Sequence, residues 1–187
     1  MGKLTLSEIW IYPIKSLAGI RLSRARVMQK GLQYDRRWML VDEAGRFLTQ
    51  REHPEMALFQ LVIDKEQLLI KSLTSTKSPE SISIDLIPTL KEQYLKVKIW
   101  DDEVEAVEAN PTYSHWFSEK LKFTCKLVFF PEGNKRDIDP KYVHEKEQVS
   151  LADGYPFMII GQSSLDDLNS RMKVVLSMRR FRPTFVF

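Results

Sequence analysis

The sequence predicts a mainly β (α+β) chain, a barrel or rolled sheet with short helices, on three observations. Apolar residues recur at every second position in many short runs, and clusters of Gly, Pro, Ser, Asn and Asp separate those runs. Only two stretches carry helical spacing. Neither G-x-G-x-x-G nor G-x-x-x-x-G-K-[ST] occurs, so the nucleotide-cradling parallel α/β architectures find no support.

Taken in order, residues 4–12 are rich in β-formers and Pro13 ends them. Residues 14–19 read as a loop. Residues 20–28 alternate, with Ile20, Leu22, Arg24, Arg26 and Met28 on one face, until Gly31 breaks the run. Residues 37–42 and 46–49 form a hairpin about Glu43-Ala44-Gly45. Residues 61–70 read as a second hairpin and 72–81 as a Ser/Thr-rich loop. Strands follow at 81–87 and 95–100. Asp101-Asp102-Glu103 then makes a solvated turn into 104–109. Asn110 is an N-cap with Pro111 at the first helical position, and Tyr113, Trp116, Phe117, Lys120 and Leu121 share a face. Residues 125–130 predict a buried strand, and 131–148 a charged loop. Ser164-Leu165-Asp166-Asp167 opens a second helix like a capping box. A short strand at 157–160 and a last one at 181–187 complete the reading.

With 187 residues, 43% of them hydrophobic and 28% charged, the chain has the composition of a globular protein of one large or two small domains. A mean hydropathy of −0.28 with 11% aromatic residues argues against disorder. No apolar run approaches the ~20 residues of a membrane span, and no secretory leader opens the sequence. The lone cysteine, Cys125, excludes an internal disulfide framework and any multi-cysteine metal site, so a reducing cytoplasm is expected. Set in an apolar strand, its thiol reads as structural. His53, His115 and His144 lack ligand spacing, and no metal is assigned to them. Ser163 and Ser164 lack the context of a hydrolase nucleophile.

Charge is distributed unevenly. Residues 1–60 hold 7 of the 12 arginines, the last 39 residues hold 4, and Arg136 stands alone between them in a lysine-rich, net acidic stretch. Arginine grips phosphate or carboxylate with a planar fork, so two arginine-rich ends suggest convergence on one anion. Lys15 and Ser16 follow a strand end, where an ammonium and a hydroxyl can receive an oxyanion. Asp35 can fix one of the adjacent Arg36 and Arg37, which a strand would point to opposite faces. Arg182 precedes Pro183, which is expected to hold it extended. Alone, each of these signals is also what a solvated lysine or a surface ion pair looks like.

Together and in this order they carry a resemblance. Trp10-Ile11-Tyr12-Pro13-Ile14-Lys15-Ser16, Asp35-Arg36-Arg37-Trp38-Met39-Leu40-Val41, Thr49-Gln50-Arg51, Ala152-Asp153-Gly154-Tyr155-Pro156-Phe157, Ser164-Leu165-Asp166-Asp167-Leu168-Asn169-Ser170-Arg171 and Phe181-Arg182-Pro183 resemble the MOSC superfamily. This is the domain found at the C-terminus of molybdenum cofactor sulfurases. Within it, the chain is similar to the amidoxime-reducing and YcbX-type branch.

The resemblance implies a β-barrel-like N-terminal domain over residues 1–149 and the truncated start of a MOSC β-barrel domain over 150–187. It implies molybdenum cofactor (molybdopterin) bound by Lys15, Ser16, Arg36, Ala152, Asp153, Gly154 and Arg182. A longer parent would be an oxidoreductase that reduces small N-hydroxylated compounds with electrons from a ferredoxin-like or flavoprotein partner. The thiolate ligand of molybdenum would lie beyond Phe187, so the chain alone is expected to be inactive, and its catalytic residue is not assigned. Thr184 stands where the family has Asn. Two alternatives are a carrier of the cofactor or of sulfur without reductase turnover, and a polyanion-binding module, although no membrane or nucleic-acid partner is expected. The apolar end, Phe185-Val186-Phe187, is expected to pack on the first domain or to pair with a second chain as a dimer.

Overall fold

The computed structural model describes residues 4–74, 80–90, 94–143 and 145–187. His144 and residues 75–79 of the expected 72–81 loop lie outside them. The first strands are β1 (Glu8–Ile11), β2 (Ile20–Leu22), β3 (Val27–Met28), β4 (Gly31–Leu32) and β5 (Trp38–Val41). They are followed by β6 (Phe59–Asp64), β7 (Gln67–Ser72), β8 (Ser81–Asp85), β9 (Tyr94–Ile99) and β10 (Asp102–Val107). Helix α1 (Pro111–Leu121), β11 (Lys126–Phe129), β12 (Ile159–Ile160), α2 (Gln162–Ser170) and β13 (Phe185–Val186) complete the described strands and α-helices. The chain is mainly β, as its sequence predicts. Its sheets run β12-β13-β1-β2, β5-β11-β10-β9, β6-β7-β8 and the small pair β3-β4.

The β5–β11 pair is the spine of the molecule, with Leu127 opposite Leu40 and Phe129 opposite Trp38. Its two faces are buried in different cores. Trp38, Leu40, Leu127 and Phe129 pack with Phe59, Leu68, Ile70, Ile84 and Phe117 from β6–β8 and α1. Met39, Val41, Val128 and Phe130 pack with Val97, Ile99, Ala106 and Leu151 on the other side. Two-sided burial is why Trp38-Met39-Leu40-Val41 reads as a continuous apolar run, whereas β7 alternates buried and exposed residues. At the start of α1 the Asn110 side chain accepts a hydrogen bond from the Thr112 N–H at 3.0 Å, as its N-cap position requires.

Several boundaries differ from expectation, each for a physical reason. The 4–12 strand shortens to β1, because its ladder partners reach only Glu8 through Ile11. The 20–28 run splits in two, and Gly31 opens β4 instead of breaking the pattern. There, at φ 111°, an added Cβ would meet Pro156 at 3.2 Å. Residues 46–49 form bridges rather than a strand, Phe47 with Val41 and Arg46 with Lys98. The turn before them does hold Gly45 in the left-handed region, at φ 78°, with the Lys96 carbonyl 2.8 Å from where a Cβ would stand. Gly45→Ala is therefore expected to lower stability by about 1–3 kcal/mol, which chemical denaturation would measure. Asp102 opens β10 and ion-pairs with Arg136 at 2.7 Å, so it is not merely solvated.

Helix α2 begins two residues before the expected capping box, with Gly161 as its N-cap and no side-chain cap. The 181–187 strand is reduced to β13, preceded by a single 3-10 turn at Met178–Phe181. β13 lies antiparallel to β1, with Glu8 opposite Val186, and parallel to β12. The last residues thus pack on the first strand of the chain.

Candidate functional site

Beyond β1 the chain stays extended and docks alongside the residues that enter β5. The Tyr12 carbonyl accepts from the Arg36 N–H, the Pro13 carbonyl from the Trp38 N–H, and the Trp38 carbonyl from the Lys15 N–H, at 2.8–3.0 Å. Asp35, only 1% exposed, accepts from the Tyr12 N–H at 2.7 Å and from Arg36 Nη1 at 2.6 Å. Burial raises its carboxyl pKa against the opposing pull of Arg36 and of the Tyr12 amide. This lacing turns two distant motifs into one rigid wall.

The Tyr12 ring organises two cations. The Arg36 guanidinium lies 4.3 Å from its centroid and that of Arg182 lies 4.2 Å away. The Tyr12 hydroxyl donates to the Pro183 carbonyl at 3.0 Å, and Arg182 Nη1 donates to the Leu17 carbonyl at 2.6 Å. Arg182 is left-handed, at φ 52°, and not extended as its place before proline predicts. The stacking and the Leu17 hydrogen bond override the local preference. Ser16 and Arg36 are left-handed as well, at φ 66° and 48°. Three of the seven non-glycine residues with positive φ among the described residues thus lie on these cationic loops.

Lys15 is 5% exposed and pairs with Asp153 at 2.6 Å, with its ammonium 5.2 Å from the Phe47 ring. Burial pulls its pKa down to about 8, although Asp153 holds it up. Burial pushes Asp153 up, but Lys15 first, then Trp100 and Arg36, keep it below the usual carboxylate range. Burial likewise lowers Arg182 to about 10, helped by the facing Arg36, and raises the Tyr12 hydroxyl to about 12.

Lys15, Ser16, Arg36, Asp153 and Arg182 line one cavity of about 230 Å³, together with Thr49, Gln50, Arg51, Trp100 and Arg180. The other two sequence-derived candidates do not line it. Ala152 is buried with its carbonyl bound by Arg136, and Gly154 is exposed. Arg37, expected on the opposite face, is itself buried and pairs with Glu132 at 2.9 Å.

Three further side chains contribute that the resemblance does not assign to the cofactor. Arg136 grips the carbonyls of Ser150, Ala152 and Asp153 at 2.5–3.0 Å and so sets the Asp153 loop. It sits in a charged loop, and only its isolation as the middle arginine set it apart. Arg180, two residues before Arg182 and expected to share its strand, lines the cavity as well, whereas Trp100 carries no local signal beyond its residue type. Cys125 takes no part; burial raises its thiol to about 11. Among the described residues no three His, Cys, Asp or Glu side chains gather as a metal site.

Among the described residues the lining carries five cationic side chains against the single carboxylate of Asp153, a balance that suits an anion. The family model described as the MOSC N-terminal beta barrel domain matches residues 3–124, the stretch that contributes Lys15, Ser16, Arg36 and Arg51. The chain belongs to the MOSC N-terminal beta barrel family. It is similar to mitochondrial amidoxime-reducing component 1 of Mus musculus and of Homo sapiens, 29% identical to each over 97% of this chain and 55% of theirs. It is also similar to the molybdenum cofactor sulfurase of Arabidopsis thaliana, 29% identical over 97% of this chain and 24% of that protein. The chain thus spans about half the length of the amidoxime-reducing relatives. A solution structure from Bordetella bronchiseptica overlays 67% of the chain at a TM-score of 0.41 and 14% identity, too distant to bear on function. In this MOSC-family chain, no helix among the described residues is long and apolar enough to cross a membrane.

Proposed function

We propose that this MOSC-family chain supplies the anion-gripping part of a molybdenum cofactor site. The observation that carries the reading is the convergence of Lys15, Arg36 and Arg182, from three separate motifs, on one cavity with a single facing carboxylate. The donor set suits the phosphate of molybdopterin. Lys15 supplies a nearly buried charge, Arg36 and Arg182 supply directed forks held on Tyr12, and Ser16 supplies a hydroxyl. Asp153 gives up its ion pair with Lys15 or accepts from a ligand donor. The cofactor, when bound, would supply two-electron chemistry at molybdenum. This chain's residues anchor and orient it.

In this reading the activity belongs to a longer protein with the division at 149/150, in a reducing compartment such as the cytoplasm. That protein reduces N-hydroxylated compounds and receives electrons from a ferredoxin-like or flavoprotein partner. Support comes from the six ordered motifs and from the similarity to amidoxime-reducing components and molybdenum cofactor sulfurases.

The test is calorimetric titration of the purified chain with inorganic phosphate and with isolated molybdopterin. Binding is expected for both, weakened about tenfold or more by Arg182→Ala and by Lys15→Met, in line with losing one charge-assisted contact of about 1.5–3 kcal/mol. Phosphate binding unaffected by either substitution would overturn the reading.

A further inference from the structure

A second cavity, of about 380 Å³, adjoins the first and shares Phe47, Thr49, Arg51 and Trp100 with it, while Arg46, Glu52 and Lys98 complete its lining. Trp100 stands at the junction. Ile99 and Asp102 pair across the β9–β10 hairpin, so Trp100 is the first of the two turn residues, and its φ is 54°. A positive φ at that position is ordinarily met by glycine or asparagine, and a bulky residue there is an outlier. Core packing does not explain it, because Trp100 is 44% exposed. Its ring is nevertheless held in place. The indole N–H donates to Asp153 Oδ1 at 3.2 Å, Phe47 meets it at 4.9 Å, and the Arg51 guanidinium lies 5.2 Å from its centroid. Asp153 Oδ1 in turn binds Lys15, so the indole and the anion cavity share one carboxylate.

We propose that the Trp100 turn is a shelf for the planar ring of a ligand whose phosphate occupies the Lys15–Arg36–Arg182 cavity. This rests on the anion-site reading above and deepens it: the ligand is a phosphate monoester that carries a planar ring, and Trp100 is the residue that receives the ring. The ring lies against the indole in the outer cavity, where Arg51 can cover it and Arg46 and Lys98 meet its acceptor atoms. The backbone strain of a tryptophan in a glycine position is kept because that ring is needed there.

The experiment compares inorganic phosphate with phenyl phosphate on the purified chain by calorimetry. Phenyl phosphate is expected to bind about tenfold or more tightly than phosphate, as stacking on an indole allows. In Trp100→Gly, which relieves the turn and should melt no lower than the parent, the ratio of the two affinities falls to about one. In Trp100→Phe the ratio is largely retained. Guanosine monophosphate and a pterin methyl phosphate then separate a nucleotide source from a pterin source, and the tighter of the two identifies it. If phosphate itself fails to bind, the anion-site reading falls. If phosphate binds but phenyl phosphate binds no better, or Trp100→Gly keeps the advantage, the shelf is overturned while the anion site stands.

Discussion

Replacing Asp35 with alanine is expected to destabilise the protein by about 3–5 kcal/mol, the cost of removing one partner from a buried ion pair. Asp35 is only 1% exposed, and its two oxygens hold the Tyr12 N–H and Arg36 Nη1. Without it, a half-buried guanidinium and a buried amide donor lose their acceptor together. Asp35→Asn should cost less, because its amide oxygen can still accept from Tyr12. Urea denaturation of the two variants beside the parent would measure both losses. The same substitutions report on function, since each removes a negative charge behind the cavity. Any fraction that stays folded should bind sulfate no more weakly than the parent. A loss below 1 kcal/mol for Asp35→Ala would mean that the Tyr12–Asp35–Arg36 lacing does not hold the site together.

Raising the pH from 8 to 9.5 is expected to move stability and anion affinity in opposite directions. Lys15 titrates near 8 in the folded chain, because burial outweighs the help of Asp153, and near its ordinary 10.5 when unfolded. Between those values the unfolded chain binds more protons, so the fold gains stability as pH rises, by at most about 1.4 kcal/mol per unit. Over the same range Lys15 loses the charge that faces the ligand, so sulfate, whose own charge is constant there, should bind progressively less. The window ends before Arg182 at about 10 and Tyr12 at about 12 intervene. Lys15→Met should flatten the affinity curve and remove the stability gain, leaving the opposing loss from Cys125, whose buried thiol keeps its proton to about 11 while the unfolded thiol releases it near 9. An affinity that stays constant through pH 9 in the parent would show that Lys15 does not meet the anion.

What could be read in advance divides by the range of the interactions concerned. The alternation of Leu68 and Ile70 and the cap at Asn110 are set within a few residues, and both are present in the fold. Lys15, Ser16, Arg36 and Arg182 were found through their motifs, and the structure brings them to one cavity. Local rules failed wherever a distant group decides the conformation. Proline at 183 predicts an extended Arg182, but Tyr12 and Leu17, far away in the chain, hold it left-handed. Arg37 looked like a surface residue because its partner, Glu132, lies in a loop. Arg136 stands out only as a lone arginine, because the carbonyls it holds come together only once 150–153 is folded against β5 and β11. Nothing in Ile99-Trp100-Asp101 announces that an aromatic ring will occupy a turn position suited to glycine.

The stacking of Arg36 and Arg182 on opposite demands of the Tyr12 side chain, ring and hydroxyl alike, also sets an order on biosynthesis. Tyr12 and Arg36 leave the ribosome early, while Arg182 and the β13 strand that pairs with β1 emerge some 170 residues after Tyr12. Until then β1 pairs only with β2, and the cavity has two of its three principal cations. A nascent chain therefore presents a weak, open version of the site and gains full grip only when the last strand closes over it. Closing so long a loop adds little further entropy cost beyond that of a shorter one, but it makes the contact slow to form. Assembly of the Tyr12–Arg36–Arg182 stack is therefore expected to be a late event in folding.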